Sequence, residues 1–232
     1  MRATRPDKLD HETFRDLQRE YIFFSIARFC SLNSLRDGYY FEFGCHNART
    51  MRLAWEHTGA LFDWLYVGFD SFAGLPEISE IDRQPIWKEG ALATSETDFI
   101  AMTLDAGMPP ERLRTIKGFY DQSLTPALAE TLLPKKAAVI FVDCDLYQST
   151  VPVLAFARQF LQPGTIVIFD DWFCFCGDPE RGERRAWGEF REANPELRFT
   201  EFIHTNEAQA FICLGGSRAH PVKETTAAHL AT

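Results

Sequence analysis

VDCDLYQST at 142–150 and IFDDW at 168–172 each set carboxylates directly behind an apolar run. Val139-Ile-Phe-Val142 precedes Asp143 and Asp145, and Ile166-Val-Ile-Phe169 precedes Asp170 and Asp171. Short runs rich in β-branched and aromatic residues, bounded by Pro, Gly or charge, read as buried strands. Carboxylates crowded at the ends of two strands are costly, because they repel one another and resist desolvation. A cation should offset that cost. Hard oxygen donors without a Cys/His set point to Mg²⁺ or Ca²⁺ rather than zinc. The competing reading is that each Asp caps the helix that follows its strand.

Outward from these stretches, the chain alternates strands and helices. An amphipathic helix is expected over 12–34, then a strand at Tyr39–Phe43, closed by Gly44. Asn47–His57 reads as a helix and Trp64–Phe69 as a second strand ending at Asp70. Residues 74–94 hold Pro, Gly and charges together with Ile78, Ile81, Ile86 and Trp87, the pattern of a lid over an acceptor site. Ser95-Glu-Thr-Asp98 resembles a capping box for a helix through Ala106. A third strand at 113–116, a helix over Ser123–Leu133, the strand at 137–142, a helix at about 150–161 and a strand at 165–169 follow. A helix to about Ala193 precedes two strands, 198–203 and 209–214, joined without a helix and therefore antiparallel. Alternation of this kind predicts a doubly wound α/β sheet, mostly parallel with an antiparallel terminal hairpin and helices on both faces. The expected organisation is one domain over 1–216, with an N-terminal helix at 10–36 and a tail at 217–232.

The 232 residues are 46% hydrophobic and 25% charged, ordinary values for a globular chain with a sizeable core. A net charge of −9 disfavours nucleic acid as the main partner. The first residues, MRATRPDKLD, lack the apolar stretch of a signal peptide, and no apolar run is long enough to span a membrane, so a cytoplasmic location is expected. Six Cys form no CxxC pair and read as buried free thiols.

In such sheets ligands bind outside the carboxyl ends of the strands, at the topological switch point. Those ends supply Glu42-Phe-Gly44, Asp70-Ser71, Gly118-Phe119 and Asp143. Gly44 permits close backbone approach, and Asp70 is placed to accept from ribose hydroxyls. The turn Gly44-Cys-His-Asn-Ala-Arg lacks the three spaced glycines of an NAD site, which disfavours hydride chemistry.

FEFGC at 41–45, YVGFDSFAGLPE at 66–77, IKGFYDQSL at 116–124, VDCDLYQST at 142–150 and IVIFDDW at 166–172, in this order, resemble the macrocin O-methyltransferase family. The resemblance covers about residues 20–215. It implies a Rossmann-like class I methyltransferase fold, S-adenosylmethionine and Mg²⁺ as cofactors, and methylation of a sugar hydroxyl or another vicinal diol such as a catechol. Phe41, otherwise most simply core, groups with Glu42 and Gly44 as the first cofactor motif. Asp70 and Ser71 match the ribose-binding pair, Gly118 and Phe119 the turn beside the adenine. Asp143 matches both a cofactor contact and, with Asp170 and Asp171, the metal ligands, while Asp145 matches the general base. The family carries a further glycine where this chain has Ala48-Arg49. Two other readings stand beside this one. Asp143-x-Asp145 also resembles the nucleophile and acid of haloacid-dehalogenase phosphatases, although those follow the first strand and not the fourth. A catalytically silent cofactor-binding protein is the third reading. The aromatic helix at 12–34 is open to packing on a second copy, as in a homo-oligomer, or to closing over the cofactor.

Overall fold

The computed structural model describes residues 11–216. The expected tail at 217–232 lies outside the described residues. In chain order the elements are α1 (His11–Leu32), β1 (Asp37–Phe43), α2 (Arg49–Thr58), β2 (Asp63–Asp70), α3 (Glu96–Asp105), β3 (Leu113–Lys117), α4 (Tyr120–Ser123), α5 (Pro126–Leu132), β4 (Ala137–Val142), α6 (Tyr147–Ala157), β5 (Ile166–Phe169), α7 (Gly182–Ala193), β6 (Leu197–His204) and β7 (Gln209–Gly216). The strands form one sheet in the order β3-β2-β1-β4-β5-β7-β6. Neighbours from β3 to β5 are parallel, and β7 runs antiparallel to both β5 and β6. The order reverses between β1 and β4, which opens the crevice where ligands of such sheets sit.

Parallel strands covered on both faces are apolar throughout, and β4 is buried at every position. Side chains alternate between two cores. Tyr40, Trp64, Tyr66 and Phe141 pack with Phe23, Met51 and Phe99 of α1, α2 and α3. Phe41, Phe43, Phe69 and Phe169 pack on the other face with Leu132, Phe156 and Trp187 of α5, α6 and α7. Four of the six thiols, Cys30, Cys45, Cys144 and Cys213, are buried and free, while Cys174 is half-buried and Cys176 exposed. No helix among the described residues is long and apolar enough to cross a membrane.

Two helix boundaries differ from the sequence expectation for local reasons. The helix expected over 123–133 is divided. Thr125 accepts from the Leu128 amide, and Pro126 begins a fresh first turn, so α5 starts anew after α4. The helix expected from about residue 150 starts at Tyr147, because the amides of Tyr147 and Gln148 donate to the distant, fully buried Asp82 at 2.7 and 3.0 Å. A capping partner from another part of the chain satisfies the amides that would otherwise fray the first turn.

The docking of α1 rests on Phe23, which is fully buried against Tyr40 and Phe141. Phe23→Ala should lower the unfolding free energy by roughly 3–5 kcal/mol in urea titrations. A loss below about 1 kcal/mol is what an exposed position would give, and would mean that α1 does not dock this way.

Candidate active site

A cavity of about 1290 Å³ opens over the carboxyl ends of β1, β2, β4 and β5. One wall is the turn after β1. Gly44 adopts φ +91°, and a Cβ there would stand 1.8 Å from the Asp143 carbonyl oxygen. Only glycine fits, because β1 and β4 run side by side at this point and the Asp143 amide donates to the Phe43 carbonyl at 2.8 Å. Four residues on, the chain turns again at Ala48 with φ +60°. Left-handed backbone at the position of the family's extra glycine explains that glycine, and here alanine carries the strain.

Asp70 at the end of β2 holds this turn in place. Its Oδ2 accepts from the Cys45 and His46 amides at 2.7 and 3.3 Å, and its Oδ1 accepts from the Phe72 amide at 2.6 Å. Ser71 Oγ also lies 3.5 Å from Oδ1 but gives its one proton to the Gly74 carbonyl at 2.7 Å, so one of the carboxylate's roughly four acceptor positions stays open to a ligand hydroxyl. Ser71, Gly118 and Phe119 also line the cavity. Phe41 and Glu42 do not. Phe41 is fully buried among Tyr39, Phe69 and Phe160. Glu42 is fully buried on the opposite side of the strand, where the Tyr40 hydroxyl donates to Oε2 at 2.7 Å and Oε1 has no partner.

The floor is acidic. Asp143, Asp145, Asp170 and Asp171 all line the cavity. Burial, then the neighbouring Asp170, raises the Asp143 carboxyl well above the usual carboxylate range. Burial also raises Asp145, followed by Asp171 and Asp143, and the carboxyl groups of Asp145 and Asp171 lie within hydrogen-bond reach of each other. Asp145 sits at φ +63°, a strained backbone of the kind that collects at functional sites.

Two residues of α1, four apart and therefore on one face, reach this floor. Arg19 Nη2 donates to Asp170 Oδ2 at 2.5 Å and to Asp143 Oδ2 at 3.3 Å. Arg15 Nη2 donates to Asp170 Oδ2 at 3.4 Å, and its Nε to Glu207 at 3.0 Å. Burial alone would lower the Arg19 pKa, but Asp170 and Asp143 outweigh it and the guanidinium stays charged. Sequence reasoning expected a cation here and did not find it in this helix, although the i, i+4 spacing of Arg15 and Arg19 was a usable signal.

Glu183, in the first turn of α7, is a second residue that reasoning missed. It is fully buried, accepts from the Asp171 amide at 3.1 Å through Oε2, and leaves Oε1 unpartnered. Asp171 Oδ2 is likewise buried without a partner. The acids therefore meet the donor chemistry of a hard divalent cation, with hard oxygens, unpaired buried oxygens and a guanidinium standing in as counter-charge. Among the described residues, however, no three such side chains are already arranged as a ligand set.

The loop over 74–94, expected from sequence to act as a lid, is pinned at several points. Its ends pair through Leu75 and Ala91 at 2.9 Å, Gln148 Nε2 donates to the Glu77 carbonyl at 2.6 Å, and Asp82 caps α6 as described. His46, unassigned from sequence, bonds the Leu92 carbonyl through Nδ1 at 2.8 Å and joins the lid to the β1 turn. Leu75, Ile86, Trp87 and Leu92 face the cavity from above.

Residues 47–199 match the macrocin-O-methyltransferase (TylF) family. The 8-demethyl-8-(2,3-dimethoxy-alpha-L-rhamnosyl)-tetracenomycin-C 4'-O-methyltransferase of Streptomyces olivaceus is 33% identical over 126 residues, 51% of this chain. That match spans 46% of the relative, so the chain covers less than half the length of this curated protein. Two solved structures share the fold. The O-methyltransferase NovP aligns with a TM-score of 0.66 at 20% identity, covering 84% of this chain and 79% of its own. A calicheamicin methyltransferase aligns at 0.67 and 22% identity, covering 88% and 80%.

Burial is the main reason the Glu42 carboxyl is pushed up to about 8 from its ordinary 4.5. Its stabilising contribution is fully present below pH 4.5 and is lost as pH rises through 8. Glu42→Gln keeps an acceptor for Tyr40 and cannot ionise. Between those pH values it should lose roughly 5 kcal/mol less unfolding free energy than the wild type. Parallel pH slopes for the two proteins in urea titrations would rule this out.

Proposed function

The chain belongs to the macrocin-O-methyltransferase family, and on that premise we propose that it transfers a methyl group from S-adenosylmethionine to a hydroxyl of a sugar or another vicinal-diol small molecule. The observation that carries this reading is the pairing of two half-sites across the β1/β4 crevice. On one side lies a glycine turn and an acid fit for a ribose, on the other a buried carboxylate cluster. The cavity of about 1290 Å³ exceeds the roughly 300–1,000 Å³ of a one-ligand pocket, which leaves room for an acceptor beside the nucleoside.

S-adenosylmethionine supplies an electrophilic methyl group on a sulfonium. The chain's residues do the rest. Gly44 and the amides after it give the methionine end backbone contact, and Asp70 accepts from the ribose. Gly118 and Phe119 flank the base. With an acceptor hydroxyl beside it, Asp145 would take up that hydroxyl's proton and so make the acceptor oxygen a better nucleophile for the methyl group. The raised affinity of Asp145 for a proton, caused by burial and by Asp171, makes it a stronger base than a surface carboxylate. Arg19 holds Asp143 and Asp170 in place, and the lid excludes water.

Asp143, Asp170 and Asp171 would hold Mg²⁺, and the ion would orient two neighbouring hydroxyls and lower the pKa of one. Support for this comes from the oxygen-only donor set and the unpartnered Asp171 Oδ2. The phosphoester-hydrolase reading has no observation in its favour, since the acid pair follows β4 of a sheet ordered as in the methyltransferases.

Asp145→Asn should lower kcat by about 10²–10⁴-fold while calorimetric affinity for S-adenosylmethionine stays within about two-fold. A wild-type protein that does not bind S-adenosylmethionine would remove the whole reading. Exhaustive chelation should abolish turnover and added Mg²⁺ restore it. Full activity in the chelated enzyme would leave Arg19 as the counter-charge of the acids and end the magnesium reading alone.

A further inference from the structure

The methionine arm of S-adenosylmethionine ends in a carboxylate, and an anion taken out of water needs a cation or several donors. The floor of the cavity repels it, since Asp143, Asp145, Asp170 and Asp171 lie there. That turns the carboxylate toward the turn after β1. The amides of this turn are already engaged. Gly44 donates to the Phe69 carbonyl at 3.0 Å, Ala48 to the Cys45 carbonyl at 2.8 Å and Arg49 to Asn47 Oδ1 at 3.3 Å. Cys45 and His46 donate to Asp70. The backbone can lie against the arm, but these amides are spent elsewhere. A side chain has to meet the charge.

Among the described residues, three arginines and no lysine line the cavity. Arg15 and Arg19 face the floor, where Asp143, Asp170 and Glu207 hold them. Arg49 is placed differently. It is the first residue of α2, directly after the turn, and side chains of a helix lean toward its N-terminus. Asp16 of α1 accepts from its Nη2, which fixes the guanidinium at the cavity wall. The side chain is 24% exposed, so a ligand can reach it. A guanidinium carries several donors in a planar fork, more than one carboxylate oxygen takes up. Given that the cavity takes S-adenosylmethionine, as proposed, we infer that Arg49 binds the carboxylate of its methionine arm, with Asp16 as the residue that positions the guanidinium. Asp70 at the ribose and Arg49 at the carboxylate then hold the cofactor at two separate points. A glycine in this stretch has no side chain to offer, so the contact belongs to this chain and not to the family's glycine motif.

Titration calorimetry on the full chain, with S-adenosylhomocysteine and with its decarboxylated analogue, isolates the contact. The wild type should bind S-adenosylhomocysteine about 10–100-fold more tightly than the analogue, the range for a hydrogen-bonded charge pair. Arg49→Met keeps the apolar stem without the charge, and should bring the two affinities within about two-fold by weakening S-adenosylhomocysteine alone. Arg49→Lys, a point charge without the fork, should fall between. Binding of the analogue checks that each variant is folded. Equal affinities in the wild type overturn the inference even if no variant folds. A preference that survives Arg49→Met overturns it as well. So does an equal weakening of both compounds by Arg49→Met, because Arg49 would then only shape the turn. Those three results leave the nucleoside reading standing, whereas a wild type that binds neither compound removes that reading and the contact together.

Discussion

Arg19 stands between Asp143 and Asp170, and much of the cavity depends on that contact. Glu42, Asp143, Asp145, Asp171 and Glu183 gather around Asp170, and burial first, then neighbouring carboxylates, raises the proton affinity of all five. Carboxylates so placed would repel each other and draw in water if nothing opposed them. Arg19 and Arg15 reach in from the first helix and set positive charge against Asp143 and Asp170. The first helix is therefore part of the site's electrostatics as well as a lid over the core. Removing one partner of such a buried pair typically costs several kcal/mol, far more than the net gain from forming it.

A second constraint is the closeness of β1 and β4. The glycine at the end of β1 exists because the neighbouring strand's carbonyl occupies the space of a side chain. That closeness brings the acids after β4 next to the turn proposed for the nucleoside. A group transferred between two ligands has to cross only the width of one strand pair, about 5 Å, a distance suited to direct displacement.

Much of the architecture was readable because it is local. Hydrophobic runs bounded by Gly, Pro and Asp located all seven strands, and the Ser95 capping box was found where its pattern placed it, with Ser95 accepting from the Asp98 amide at 3.1 Å. The helix splits at Thr125 by equally local chemistry, visible once Thr-Pro is read as a new start. What escaped notice is long-range. The Arg19 contacts join residues 124 and 151 positions apart, and nothing near Arg19 in the chain announces them. Glu183 lies in a polar stretch that read simply as a helix with its lead-in, yet it is buried beneath Asp171. Phe41 and Glu42 show the limit of a motif. The period of a strand turns their side chains into opposite cores, so the motif marks the place of the cavity without contributing side chains to its wall.

Asp82 has a consequence for how this enzyme class diversifies. The residue belongs to the loop over the cavity, but its carboxylate caps the amides that begin the helix after Asp143 and Asp145. The loop is thus anchored at several points, of which Asp82 is the one that also starts a helix outside it. The side chains of Ile86 and Leu92 line the cavity and hold none of these anchors, so they can vary with the ligand that fits, although the Leu92 carbonyl is itself tied to His46. A transplanted loop of any other composition would have to bring an acid to the same spot, or the helix beneath it would begin with two bare amides. Acceptor choice can then wander over generations while the reaction centre stays where it is.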